Sequence, residues 1–229
     1  MILDYFNFKC QSSRLRALLG LALLLVFVWA TPPARAQSYE QFFRAIEQND
    51  DATVENLLKR GFDPNTPSAD LQPALTLALQ TDALRVAEAL IAWPTIKVNQ
   101  SNPNGETPLM MAALKGQLRI AEQLLTRGAE VNVSGWTPLH YAATGAHAEV
   151  LKWLLQQKAD INASSPNGTT PLMMAAHYGT PEVTRLLLNA GADPRVKNQL
   201  GLSALDFAIN GPHTESVALI QQALKTKKK

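Results

Sequence analysis

Residues 107–113 read TPLMMAA, and the same seven letters return at residues 170–176. Between these copies, residues 137–143 read TPLHYAA, a close variant. A heptapeptide does not recur by chance in a chain of 229 residues, so the copies mark an internal repeat. A fixed period of this kind indicates a stack of similar units, each of which buries its apolar face against its neighbours.

Weaker copies extend the repeat over most of the chain. Aligning the sequence on the first alanine of the AA pair gives anchors spaced by about 33 residues, which are Ala45, Ala78, Ala112, Ala142, Ala175 and Ala208. About twelve residues after each anchor comes an aliphatic pair such as Leu124-Leu125. Turns that end at Asn65, Asn132, Asn162 or Pro194 follow four of these pairs.

This pattern resembles the ankyrin repeat, which combines a G-x-TPLH-x-AA block, a leucine-bearing second helix and a GADVN turn. The resemblance covers residues 38–224 and implies an all-α solenoid of about six helix-turn-helix repeats with β-hairpin finger loops. We place an ankyrin-repeat domain at residues 37–224, followed by a basic disordered tail at 225–229. The repeats are expected at 38–65, 66–101, 102–134, 135–164, 165–197 and 198–224.

Elementary helix chemistry explains the repeated letters. Thr107, Thr137 and Thr170 are expected to cap the first helix of their repeats, with the following proline at the first helical position. Gly128 and Gly191 are suited to the left-handed residue that ends a second helix. The resemblance implies that His140 joins the threonine of its repeat in a structural hydrogen-bond network.

Two departures from the pattern are visible. Trp93-Pro94 replaces the glycine turn of the second repeat, so that helix must stop by Pro94. The second repeat also lacks the G-x-TP sequence, which leaves the geometry of its finger open. The finger before the fourth repeat is short, because only residues 133–136 separate Asn132 from Thr137. We expect a notch in the row of fingers beside Trp136.

The N-terminus has the pattern of a secretory signal peptide at residues 1–36. Lys9, Arg14 and Arg16 precede an apolar run at residues 17–30, and an Ala-x-Ala site ends at Ala36. We expect cleavage after Ala36 and a periplasmic protein; the alternative is an uncleaved N-terminal anchor. The chain is then similar to small exported ankyrin-repeat proteins of Gram-negative bacteria. Cleavage would also remove Cys10, the only cysteine.

Composition and motifs argue against several functions. The net charge is +2, and residues 1–36 hold much of the basic excess, so the body offers no basic face for nucleic acid. There is no GxSxG elbow, HExxH pair or phosphate-binding glycine loop. We therefore expect no enzyme activity, no cofactor, no metal and, after signal cleavage, no membrane contact.

Recognition of a protein partner is the function that remains. The resemblance implies a concave face built from finger residues and the ends of inner helices, which in this sequence are Glu106, Trp136, Thr169, Leu202, Leu114, Lys115, Thr144, His177 and Tyr178. Exposed aromatic residues such as Trp136 and Tyr178 favour a protein interface, although both could instead pack locally. We expect a monomer that binds a protein of unknown identity. The alternatives are an immunity protein or inhibitor of a toxin, or an accessory factor in oxidative-stress defence.

Overall fold

A computed structural model describes residues 34–226 of the chain. The predicted signal peptide lies outside these residues apart from its last three positions, and residues 227–229 of the predicted tail also lie outside them. The described residues fall into two units, 34–42 and 43–226. Helix α1, Ala34–Glu47, crosses this division.

Within residues 34–226 there are twelve helices, which follow one another as six pairs. The inner helices after α1 are α3 (Ala74–Gln80), α5 (Pro108–Leu114), α7 (Pro138–Thr144), α9 (Pro171–His177) and α11 (Ala204–Ile209). The outer helices are α2 (Asp51–Lys59), α4 (Leu84–Ala92), α6 (Leu118–Thr126), α8 (Ala148–Gln156), α10 (Pro181–Asn189) and α12 (Thr214–Thr226). The only β-type pairing in this part of the chain is two isolated bridges at finger bases. The predicted all-α repeat solenoid is confirmed.

Local chemistry sets most of the helix ends as the sequence predicts, but the hydroxyl of Thr137 does not cap the backbone of its helix and instead lies 2.9 Å from Nδ1 of His140. The Oγ1 atoms of Thr107 and Thr170 accept the backbone N–H three residues on, and proline follows each at the first helical position. Gly128 and Gly191 have φ values of +89° and +103°, the left-handed conformation that closes a helix. Helix α4 ends at Ala92, before Pro94.

Small side chains allow the inner helices to pack side by side. The alanine pairs of α5, α7 and α9 are all fully buried, and each of these helices packs on the next inner helix. Leu124, Leu154 and Leu187 of the outer helices are also fully buried. Each repeat therefore buries its apolar face against its neighbours.

A ladder of asparagine side chains joins successive turns. The Oδ1 atoms of Asn65, Asn99, Asn132 and Asn162 each accept a backbone N–H of the next repeat's turn, at 2.8 to 3.0 Å. The Nδ2 atoms of the first three also donate to carbonyls of that turn. The sequence marks some of these asparagines only as turn ends, because their partners lie about one period away.

Four fingers share one hairpin turn, closed by two backbone hydrogen bonds. The carbonyl of the first residue accepts the N–H of the fourth residue, and the N–H of the first residue donates to the carbonyl of the fifth. These turns are residues 68–72, 102–106, 165–169 and 198–202. The finger of the second repeat thus has the ordinary geometry that its sequence left open. The short finger at residues 133–136 has no such pair of bonds.

Leu71 is the unusual residue of these turns. Its φ is +59°, whereas the equivalent positions hold Gly105, Gly168 and Gly201. A left-handed non-glycine residue costs roughly 1–2 kcal/mol. Glycine avoids this cost, but it loses roughly 0.5–1 kcal/mol more conformational entropy on folding, because its unfolded chain is freer. Leu71 is also 64% exposed, so little packing depends on it.

We therefore expect Leu71→Gly to raise the free energy of unfolding by about 0.5–1 kcal/mol. Urea unfolding measures this change. Gly105→Ala is the matched control: a Cβ at Gly105 would touch nothing within 4 Å, so its expected loss of about 1 kcal/mol comes from backbone conformation alone. A less stable Leu71→Gly protein would show that the leucine stabilises the fold more than its exposure indicates.

The C-terminal boundary differs from the prediction. Lys225 and Thr226, which the sequence places in the disordered tail, form the last turn of α12. The reason is that Leu224 packs against the apolar core and holds this turn to the stack.

Candidate protein-binding surface

The predicted site residues lie on the fingers and at the ends of the inner helices. We call this the finger–inner-helix surface and define it by Glu106, Trp136 and Leu202 on the fingers, and by Leu114, Lys115, Thr144, His177 and Tyr178 at the helix ends. Its two halves differ in chemistry. Polar side chains of the second to fourth repeats are bonded to one another, whereas the last two repeats expose apolar groups.

In the polar half, Glu106 is half-buried and already engaged. Its Oε1 accepts the hydroxyl of Tyr141 at 2.9 Å, and its Oε2 accepts Nδ2 of Asn102 at 2.7 Å. Asn102 also donates to Oε1 of Gln72 at 3.1 Å, so the network spans three successive inner-helix repeats. Burial, with the adjacent carboxylate, raises the pKa of Tyr141. The carboxylate of Glu106 thus accepts hydrogen bonds that join the repeats, and it is also partly accessible from outside.

Lys115 and Thr144 are also bonded to other residues of the protein. Nζ of Lys115 lies 2.8 Å from Oδ2 of Asp82, whose other oxygen accepts Nε2 of Gln117 at 2.9 Å. The hydroxyl of Thr144 donates to the carbonyl of His140 at 2.8 Å, and Leu114 is half-buried. An exposed ion pair of this kind adds little stability, so Lys115 can exchange Asp82 for a partner at small cost.

Thr169 is not part of the surface, and its predicted exposure is wrong. Thr169 is only 2% exposed. Its backbone N–H donates to Oγ of Ser165 at 2.9 Å, and its carbonyl accepts both the Ser165 N–H and Nε2 of His140. Glu106 and Leu202 close their turns in the same way and remain accessible, so what distinguishes Thr169 is its bond to the His140 ring, which holds it in the base of the hairpin.

The other half of the surface is apolar and open. Tyr178 is 58% exposed and Leu202 is 37% exposed. The ring of His177 packs edge-on against Tyr178, with centroids 4.3 Å apart, and also contacts the ring of Phe207. Nδ1 of His177 donates to the carbonyl of Phe207 at 3.2 Å. His177 therefore supports the tyrosine while bridging two repeats.

Sequence reasoning missed three members of this half. Leu200 is 78% exposed at a fingertip, Ile209 is 61% exposed on α11, and Phe207 is half-buried beside His177. The signal in the sequence was the slot after the anchor alanine. It holds alanine at the buried Ala113, Ala143 and Ala176, and a large aliphatic residue at Ile46, Leu79 and Ile209, of which only Ile209 is exposed.

Trp136 lies between the two halves, on the short finger. It is half-buried, and its ring meets the ring of His140 edge-on with centroids 5.2 Å apart. The notch predicted beside it is present, because residues 133–136 lack the hairpin turn of the other fingers.

The TPLM and TPLH blocks build chemically different caps. The sulfur of Met110 accepts the Thr107 N–H at 3.4 Å, and Met173 does the same for Thr170. In the fourth repeat, Nδ1 of His140 accepts the Thr137 N–H at 3.1 Å. The ring proton is then on Nε2, which donates to the carbonyl of Thr169 at 3.0 Å. His140 therefore links its repeat to the next finger. The thioether sulfurs of the methionines have no proton to donate, so they make no such link.

Comparison with known proteins fits this architecture. A family model described as ankyrin repeats (3 copies) matches residues 42–134 and 95–165, which together exceed half of the chain. The chain belongs to the ankyrin-repeat family. A second model, ankyrin repeats (many copies), matches residues 155–208. Ankyrin-repeat proteins generally mediate protein–protein interactions and are typically not catalytic.

Individual relatives share the repeats but are longer proteins. Ankyrin repeat and SAM domain-containing protein 6 of Rattus norvegicus is 32% identical over 159 residues, which is 69% of this chain and 15% of that protein. A putative ankyrin repeat-containing protein of Treponema pallidum (strain Nichols) is 35% identical over 171 residues, 74% of this chain and 47% of that protein. The chain thus spans less than half the length of either relative.

The described part of this ankyrin-repeat protein offers no clustered metal ligands. Within residues 34–226, no three His, Cys, Asp or Glu side chains stand close enough to hold an ion. Across the same range, no helix is both long and apolar enough to cross a membrane.

The second ankyrin repeat has a defective cap. Pro73 stands where the third to sixth repeats have threonine or serine, so the cap has neither a hydroxyl nor an N–H to offer. Thr76 occupies the slot of His140, and its Oγ1 is buried without a hydrogen-bond partner. A buried hydroxyl left unpaired costs roughly 1–3 kcal/mol.

We expect Thr76→Val to raise the free energy of unfolding by about 1 kcal/mol, because it removes the unpaired hydroxyl at nearly constant volume. Thermal or urea unfolding provides the measurement. Thr184→Val is the control: Oγ1 of Thr184 is also fully buried but lies 3.3 Å from Oγ of Ser216, so its removal should destabilise the protein. Equal losses in both variants would contradict this interpretation of Thr76.

Proposed function

We propose that this protein is a non-catalytic binding protein that captures another protein on its finger–inner-helix surface. The observation that carries the proposal is the exposed group around Tyr178, Leu200 and Leu202. Large exposed apolar side chains favour an interaction site, and tyrosine and tryptophan are enriched among the residues that dominate binding energy.

The two halves of the surface are suited to different roles in binding. Tyr178 and Leu202 have free area to bury, so they are suited to anchor the partner. Glu106 and Lys115 already have partners within the protein, so they are suited to the polar rim, where contacts set orientation more than affinity.

The alternative of an immunity protein for a cationic toxin finds less support. Such a protein would need free acidic groups on the binding surface. Here the carboxylates of Asp82 and Glu106 are paired within the protein, and the anchoring half consists of apolar and aromatic groups. A role in oxidative-stress defence has no residue in the described part of the protein that argues for it.

We also propose that the protein acts in the periplasm after export. The support is the basic, apolar and Ala-x-Ala pattern of residues 1–36. Fusing residues 1–36 to a reporter that is active only outside the cytoplasm tests this idea, and the mature protein should begin at Gln37. An inactive reporter fusion, or a mature protein that still begins at Met1, would overturn the proposal of a cleaved export signal.

Site-specific crosslinking tests the proposed surface. A photoreactive phenylalanine analogue at Tyr178 should give a discrete crosslinked protein in a periplasmic extract. The same analogue at Leu84, which is 36% exposed on outer helix α4, is the matched control and should not. If Leu84 crosslinks and Tyr178 does not, the binding surface lies on the outer helices.

A further inference from the structure

The sequence Pro-Asn-Gly occurs at two fingertips, at residues 103–105 and 166–168. Both copies occupy the same positions of the same hairpin turn. In each, the glycine has positive φ, +78° at Gly105 and +79° at Gly168. The two sites therefore share a tripeptide and a turn, and they differ in the first and last residues of the turn and in their neighbours.

The first difference is the freedom of the asparagine side chain. Within residues 34–226, the side-chain amide of Asn104 makes no hydrogen bond; only its backbone N–H is engaged, with Oδ1 of Asn102. Oδ1 of Asn167, in contrast, accepts Oγ of Ser165 at 2.6 Å and the Thr169 N–H at 3.2 Å. The side chain of Asn167 is thus held in one orientation.

The second difference is the neighbouring finger. A Cβ placed on Gly168 would lie 3.1 Å from Cα of Asn198, and the carbonyl of Asn167 accepts the Gln199 N–H at 2.9 Å. A Cβ placed on Gly105 would meet nothing within 4 Å. The finger that follows Gly105 is the short one at residues 133–136, so the notch leaves this fingertip uncovered.

We infer that Asn104–Gly105 is a site of spontaneous backbone modification, which the notch makes accessible. The Gly105 N–H first leaves its bond to the Asn102 carbonyl, and the nitrogen then loses its proton to solvent and attacks Cγ of Asn104. A new bond between these two atoms closes a succinimide ring, the bond from Cγ to Nδ2 breaks, and Nδ2 takes up a proton and leaves as ammonia. Water then opens the ring at either carbonyl, which gives aspartate or isoaspartate. No oxidant or cofactor is needed.

The product changes the finger–inner-helix surface. It places a new carboxylate two positions from Glu106, and the isoaspartate form also adds a backbone carbon to a closed hairpin. Glycine favours the attack because it has no side chain to block the approach of its nitrogen, whereas the bonds and the neighbouring finger around Asn167 oppose the rotation that the attack requires.

The test is to incubate the folded protein in mildly alkaline buffer and to quantify both sites by peptide mass spectrometry and by enzymatic methylation of isoaspartate. Asn104 should react about tenfold faster than Asn167, since one hydrogen bond of ordinary strength corresponds to roughly this factor in rate. In denaturant the two sites should react at equal rates. The rate at each site in the folded protein is divided by its rate in denaturant, which corrects for any difference between the two sequences.

Two variants make the outcome decisive. Ser165→Ala removes one bond to Asn167, so its rate should rise severalfold while the rate at Asn104 stays unchanged. Asn104→Gln should abolish the faster reaction. Equal normalised rates in the folded protein, or a faster reaction at Asn167, would overturn the inference whatever the partner of the protein proves to be.

Discussion

Lowering the pH from 7 to 5 is expected to reduce the free energy of unfolding by about 2 kcal/mol through His140 alone. His140 is fully buried, and burial lowers its pKa from the ordinary value of 6.5 to about 4. Its bond to the Thr169 carbonyl and the nearby charge of Asp160 act in the opposite direction but are smaller.

The direction of the effect follows from proton binding. Between pH 6.5 and 4, the unfolded protein binds a proton at His140 and the folded protein does not, so stability falls as the pH falls. A proton on Nδ1 would also face the Thr137 N–H, which now donates to that nitrogen. The lowered pKa values of Asp50 and Asp206 act below their ordinary value of 3.8, outside this range.

His140→Met provides a matched control, because the protein itself uses methionine in this slot at Met110 and Met173. Urea unfolding at the two pH values measures the effect. The variant should lose the bridge to Thr169 but should change little in stability between pH 7 and 5. A variant with the same pH dependence as the parent protein would show that another group controls acid stability.

The repeat and its caps were predictable because they depend on residues close together in the sequence. Thr107 caps a helix that starts at the next residue, and Gly128 closes a helix that ends just before it. The notch was likewise predictable from the length of residues 133–136.

The surface was less predictable because its chemistry depends on pairs of residues from different repeats. Glu106 and Lys115 were identified as surface residues, but the letters of their own repeats do not reveal Tyr141 or Asp82 as partners. Thr169 has the register of an exposed finger residue, yet the Ser165 hydroxyl and the His140 ring of the neighbouring repeat hold it in the finger base.

Removing the two aromatic residues of the surface, in a Trp136→Ala and Tyr178→Ala double variant, should weaken partner binding at least about thirtyfold. Loss of a residue that dominates an interface typically costs about 2 kcal/mol or more. Tyr178 is 58% exposed, so its loss from the free protein should cost little stability. Trp136 contacts His140, so circular dichroism and urea unfolding must accompany the binding measurement.

Titration calorimetry of the crosslinked partner, once purified, tests the central claim most directly. The parent protein, the double variant, Tyr178→Ala alone and the outer-helix control Leu84→Ala would be compared. The proposal predicts unchanged affinity for Leu84→Ala, a clear loss for Tyr178→Ala and the largest loss for the double variant, which remains folded. Affinity that survives in a folded double variant would contradict the assignment of the finger–inner-helix surface as the site of capture.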